Sequence, residues 1–107
     1  MGWTMIVNGR LIFEAYFRSR RGYAGLSAAR RQFDAWLAEA IAANWKNPAE
    51  VKAKYASASI VGANRVVFNI SGNKYRLVVR INYAFAVIEI RFFGSHAEYD
   101  GIDVGTV

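Results

Sequence analysis

Residues 64–83 read NRVVFNISGNKYRLVVRINY, two alternating runs on either side of a Gly-Asn pair, and no other stretch restricts the fold as much. Val, Ile, Phe and Tyr in alternation favour half-buried strands, and a two-residue connection is the commonest way to fold one strand back on the next. A turn on Gly72-Asn73 sets Ser71 opposite Lys74, and the later pairs follow by counting outward. Ile70 meets Tyr75, Phe68 meets Leu77 and Val66 meets Val79, which makes one apolar face for helices to cover. The other face takes Asn69 with Arg76, Val67 with Val78, and Arg65 with Arg80. A slip of one residue would reverse every side chain.

A third run, residues 87–93, extends the count. A turn centred between Ala84 and Phe85 sets Glu89 beside Arg80 and Arg91 beside Val78, so Arg65, Arg76, Arg80 and Arg91 share one surface. Like charges directly opposite on a sheet destabilise it by roughly 0.2–1 kcal/mol. The arrangement therefore calls for a compensating carboxylate or a bound anion. Glu89 compensates only one arginine well, which makes Arg80 the expected ion-pair member and leaves Arg65, Arg76 and Arg91 for a phosphate backbone.

Upstream of the hairpin the periodicity becomes helical. TMIVN, residues 4–8, is a short first strand, and Arg10–Arg21 carries Ile12, Phe13, Tyr16 and Phe17 at helical spacing up to Gly22. From Ser27, the expected N-cap, to about Asn44, residues Phe33, Trp36, Leu37, Ala40 and Ile41 form one stripe. These two segments read as a helical hairpin, with Arg18, Arg20, Arg21, Arg30 and Arg31 near its bend. Asn47, Pro48 and Glu50 suit the start of a short helix to about Tyr55. Lys52 and Lys54 are two apart on it, so at most one of them points at any given ligand. Ala58–Val61 supplies a further strand.

The chain of 107 residues, 54% apolar, is expected to form one domain over residues 1–107. Its formal charge of +6 and a pI near 10.0 favour a polyanionic partner. Ten of its fourteen cations are Arg, the planar fork that grips phosphate in bidentate fashion. The absence of cysteine removes disulfides, thiolate chemistry and most structural zinc sites, and fits a cytoplasmic location. No apolar run has the length of a membrane span, and Met1–Ala15 lacks the pattern of a secretion signal.

GSHAEYDGID, residues 94–103, holds the one histidine, His96, followed by Glu98, Tyr99 and Asp100. Histidine is the side chain whose ordinary titration range lies near neutrality, the usual proton carrier of phosphodiester chemistry. If the segment is helical, Tyr99 stands on the same side one turn later, and a tyrosinate beside arginines is stabilised. One histidine with scattered acids makes no recognisable metal site, and Walker, nucleophile-elbow and dinucleotide fingerprints are absent from the sequence. No cofactor is expected. Were RNA cut here, a base would activate the neighbouring 2′-hydroxyl, arginines would stabilise the phosphorane, and an acid would protonate the leaving 5′-oxygen.

Taken together, WKNPAEVKAKYASAS, NRVVFNISGNKYRLVVRINY and IRFFGSHAEYD closely resemble the HigB family of toxins, within the RelE/ParE-like superfamily, from about Phe33 to Asp103. The resemblance implies an α+β, RelE-like fold: an antiparallel sheet with an N-terminal helical hairpin packed on one face. It also implies a type II toxin, a ribosome-dependent endoribonuclease (mRNA interferase) that cuts translated mRNA in the A site of the 70S ribosome and is held inactive by a HigA-type helix-turn-helix antitoxin. On this resemblance Arg76 and Arg91 are the phosphate-stabilising cations, and His96 and Tyr99, in the THxEYD-like stretch, are the acid–base pair. Arg65, Lys54, Lys74 and Arg80 complete the set as RNA-binding positions. Two other readings stay open: a ParE-like inhibitor that binds a protein such as gyrase, and a nucleic-acid-binding module without chemistry.

Overall fold

The computed structural model describes residues 4–107, and Trp3 lies outside the described residues. The ladder runs as counted: in β3 (Arg65–Ile70) and β4 (Tyr75–Asn82), Ile70 pairs with Tyr75, Phe68 with Leu77, Val66 with Val79 and Arg65 with Arg80. The turn itself differs in detail. Its left-handed residues are Ser71 and Gly72, at φ 57° and 64°, and the Lys74 N–H closes it on the Ser71 carbonyl at 3.2 Å. The connection is thus four residues long, 71–74, and remains centred where a two-residue loop would be, which is why the register survives.

β5 (Val87–Ser95) pairs antiparallel with β4 and sets Glu89 opposite Arg80. Beyond that point the expected pairing fails. Val79 faces Ile90 but Val78 faces Phe92, so Arg91 is the extra residue of a β-bulge and not the partner of Val78. The bulge lets Ile88, Ile90 and Phe93 all point into the core, each at most 3% exposed, although they are spaced two and then three apart.

Two short edge strands complete a five-stranded sheet of order β1-β5-β4-β3-β2. β2 (Ser59–Val61) lies antiparallel to β3, whereas β1 (Ile6–Asn8) lies parallel to β5, so the sheet is mixed at that edge and not wholly antiparallel. Between β1 and β2 run α1 (Arg10–Ser19), α2 (Leu26–Ala42) and α3 (Pro48–Lys54), and α4 (His96–Asp100) follows β5. The fold is α+β and compatible with a RelE-like architecture, with no helix among the described residues long and apolar enough to cross a membrane.

The helices cover the even-numbered face of β3. Phe13 of α1 stacks on Phe33 of α2 at 3.8 Å between ring centroids, and Phe93 meets Phe13 edge-on at 4.7 Å. Trp36 and Trp45 are buried against Phe68. The expected stripes are narrower than their periodicity implies, since Ile12 and Ile41 face outward. Nor is Ser27 the N-cap of α2. Gly25, left-handed at φ 80°, precedes a helix that starts on Leu26, because that leucine is buried and draws the first turn inward. Asn47 does cap α3, its side chain accepting the Glu50 N–H at 3.0 Å, with Pro48 as the first helical residue.

Candidate functional site

The opposite face of the sheet carries the arginines, and it is not open along its whole length. Val67 and Val78 point to this side, outside the helix-covered core, yet both are buried, 3% and 0% exposed. The C-terminal residue Val107 reaches this face through Arg65 and Arg91. Asp103 organises the turn before it: its carbonyl accepts the Thr106 and Val107 N–H groups at 3.1 and 3.0 Å, and its carboxylate accepts the Gly105 N–H at 3.0 Å. The turn brings a Val107 main-chain oxygen between two arginines, Arg65 Nη2 donating at 2.8 Å and Arg91 Nε at 3.3 Å.

Arg65 and Arg80, neighbours across the ladder, are therefore held by different partners. Arg65 also donates to the Ala63 carbonyl at 3.0 Å, while Arg80 reaches Glu89 at 3.8 Å in a half-exposed ion pair, as the sequence implies. Arg76 lies four residues from Arg80 along β4, roughly 13 Å at ~3.3 Å per residue. The arginine face thus divides into two clusters.

The second cluster forms around Arg76. Its guanidinium bonds the Asn73 carbonyl and side chain, both at 3.1 Å, which turns it toward the hairpin end of the sheet. Its backbone partner is Gly94, and the His96 N–H donates to the Lys74 carbonyl at 3.0 Å, so the ladder runs directly into α4. That helix puts the Tyr99 ring 5.9 Å from the Arg76 guanidinium carbon, within the reach of a cation–π contact. His96 is half exposed, and its Nδ1 lies 3.1 Å from Asp100 Oδ2. Arg76, His96 and Tyr99 are brought to one end of the sheet, as expected; Arg91 belongs with Arg65 instead.

The two lysines go elsewhere. Lys54, on α3, stands 3.9 Å from Glu39 of α2 on the helix side. Lys74 extends toward Gly25 at the bend between α1 and α2. Neither joins the arginine face. Among the arginines of the bend, Arg30 forks onto Glu14 at 2.6 and 2.9 Å and lies over the Phe13 and Phe17 rings, so its role is structural.

Glu98 is the residue that the chemistry-led reading of this segment passed over. Ser95 and Glu98 form a capping box, the Glu98 N–H donating to Ser95 Oγ at 3.1 Å and the Ser95 N–H to Glu98 Oε1 at 2.8 Å. The same carboxylate accepts the Tyr16 hydroxyl at 2.7 Å and pairs with Arg20, both from the α1 end. Partial burial opposes its charge, but the Ser95 N–H, the Tyr16 hydroxyl, the Ser95 side chain and Arg20 together hold its pKa down at about 2. Burial, then the anionic Glu98 beside it, pushes the Tyr16 hydroxyl well up. The signal was legible as Ser-x-x-Glu at residues 95–98.

Such a site offers guanidiniums for an anion, a half-exposed imidazole and a phenol on one short anchored helix. Among the described residues no three His, Asp or Glu side chains gather in a set that would hold a metal ion. Residues 29–102 match the family model of the HigB toxins, described as the RelE-like toxic component of a toxin-antitoxin system. No curated protein matches the chain.

Proposed function

Because the chain belongs to the HigB toxin family of RelE-like toxic components, we propose that it is an endoribonuclease that cuts translated mRNA in the ribosomal A site. The observation that carries this reading is the placement of the Arg76 guanidinium 5.9 Å from the Tyr99 ring, with His96 at the start of the same helix. A phosphodiester seated on Arg76 has both proton carriers beside it. One of them takes the 2′-hydroxyl proton, the 2′-oxygen attacks phosphorus, and the bond to the 5′-oxygen breaks as the other gives that oxygen a proton. The products are a 2′,3′-cyclic phosphate and a 5′-hydroxyl. Arg76 stabilises the dianionic phosphorane, where an electrostatic contact contributes most.

Ribosome dependence has a physical rationale. The half-exposed cluster offers few groups to hold the attacking oxygen, phosphorus and leaving oxygen in line, and ribosomal RNA would supply that orientation. In the cytoplasm an antitoxin of the helix-turn-helix HigA type would hold the protein inactive. Primer extension on messages after brief induction tests the assignment: cuts at codon-linked positions are expected while translation runs and none when it is blocked. Intact messages with DNA damage would instead mark a gyrase inhibitor, and RNA retention without cyclic-phosphate ends a binding module.

A further inference from the structure

The proposed RNA face carries a built-in cover. We infer that residues 104–107 act as a displaceable strap that restricts RNA binding, in which a Val107 main-chain oxygen occupies the place of a phosphate oxygen between Arg65 and Arg91. The inference rests on the RNA-cleaving reading above and concerns the regulation of that site.

The geometry is that of an anion cradle already filled. Two guanidiniums from neighbouring regions of the sheet converge on one oxygen, at 2.8 and 3.3 Å, as they would on a phosphate. A single oxygen shared by two guanidiniums is a partial substitute, since a phosphodiester presents two non-bridging oxygens, one for each fork. Arg65 is incompletely satisfied in this state: its Nε is buried without a hydrogen-bond partner. A polyanion that displaced the strap would therefore give each arginine an oxygen of its own.

The strap is held by modest forces, as a displaceable element must be. Val104 and Val107 are only half-buried. Its backbone closes on Asp103 through a local turn and not on a neighbouring strand. The Arg76, His96 and Tyr99 cluster lies outside it, so the strap limits how far along the sheet an RNA chain can be tracked without blocking the reacting groups.

The test compares the full chain with a variant lacking residues 104–107, using fluorescence anisotropy of a short fluorescein-labelled single-stranded RNA across a salt series. Removal of the strap is expected to tighten binding several-fold and to steepen the dependence of log K on log salt by roughly 0.7 for each phosphate newly contacted. Arg65→Ala in the shortened chain should return both quantities toward those of the full chain. Because truncation threatens the fold, V104S/V107S in the full chain provides a second route to the same loosening, with thermal melts as the check on folding. If folded strap variants bind RNA with the affinity and salt slope of the full chain, the strap is only a structural cover and the inference is overturned. If neither form binds RNA while both remain folded, the RNA reading itself fails.

Discussion

Tyr16 and Glu98, 82 positions apart, are joined by a 2.7 Å hydrogen bond that ties α1 to the short helix carrying His96 and Tyr99. Because the Glu98 pKa falls to about 2 in the fold, against ~4.3 for an unperturbed glutamate, the carboxylate stabilises the folded state while it is ionised. Its contribution is complete above about pH 4.3 and is lost as pH drops through about 2. Thermal melts from pH 6 to pH 2 should show the parent losing stability more steeply than Glu98→Gln across that window. Parallel curves for the two proteins would show that the link carries no such linkage.

The face assignment predicts a contrast between neighbours on β4. Leu77 is 0% exposed, and Leu77→Ala should cost about 2–5 kcal/mol through the lost contacts and the cavity left behind. Arg76→Ala, on the other side of the strand, should stay within about 1 kcal/mol, since it removes part-exposed hydrogen bonds to Asn73 and Tyr75 and a distant contact with the Tyr99 ring but no core packing. Urea unfolding of both variants decides it, and equal losses would contradict the register.

Gly9 makes a stricter demand on the backbone. It joins β1 to α1 at φ 90°, and a Cβ there would stand 2.6 Å from the Ile90 carbonyl oxygen, which is backbone and cannot rotate aside. Gly9→Ala is expected to cost more than about 1 kcal/mol, from left-handed strain and from forced separation of α1 and β5. Gly22, equally left-handed but in open space, serves as the control: Gly22→Ala carries the strain without the clash and should lower the melting temperature less.

Much of the sheet was legible because Val66, Phe68, Leu77 and Val79 alternate without interruption and one face must be buried, which leaves a single register. The bulge at Arg91 was harder to see. Its sign is the adjacent Phe92 and Phe93, which break the alternation of Ile88 and Ile90 and require one extra residue for Phe93 to turn inward. The parallel pairing of β1 leaves no local trace, because three residues, Ile6–Asn8, take their partner from 81 positions further along the chain. Of the candidate site, the face of Arg76 followed from register and the shared side of His96 and Tyr99 from helical spacing, whereas their grouping was implied only by the family resemblance. The positions of Lys54 and Lys74 followed from neither, since long flexible side chains go to whatever the tertiary packing offers, here Glu39 and the α1–α2 bend.

Arg80 and Glu89 form a half-exposed pair at 3.8 Å, so their direct coupling is screened. A double-mutant cycle with Arg80→Ala and Glu89→Ala should give no more than about 1 kcal/mol, shrinking as salt is added. Glu89→Ala alone should cost more than the double variant, because it leaves Arg80 facing Arg65 without its ion-pair partner. A cycle free energy that does not respond to salt would mean that the contact is packing and not charge.

The catalytic assignment makes the most exposed residue of the cluster the most consequential for rate. The half-exposed His96 side chain hydrogen-bonds Asp100, so His96→Ala should leave the melting temperature nearly unchanged while lowering message cleavage by about 10²–10⁴-fold, the usual contribution of a positioned acid or base. Tyr99→Phe separates the phenol's two uses: it keeps the ring beside Arg76 and removes the hydroxyl, so a comparable loss would assign proton transfer to that hydroxyl. If Tyr99→Phe cuts like the parent and Tyr99→Ala does not, the ring positions Arg76 and the second proton carrier lies elsewhere, with His96 keeping its role. Primer extension on ribosome-engaged messages, with melts run on the same preparations, distinguishes these outcomes, and a fully active His96→Ala protein would remove the imidazole from the mechanism.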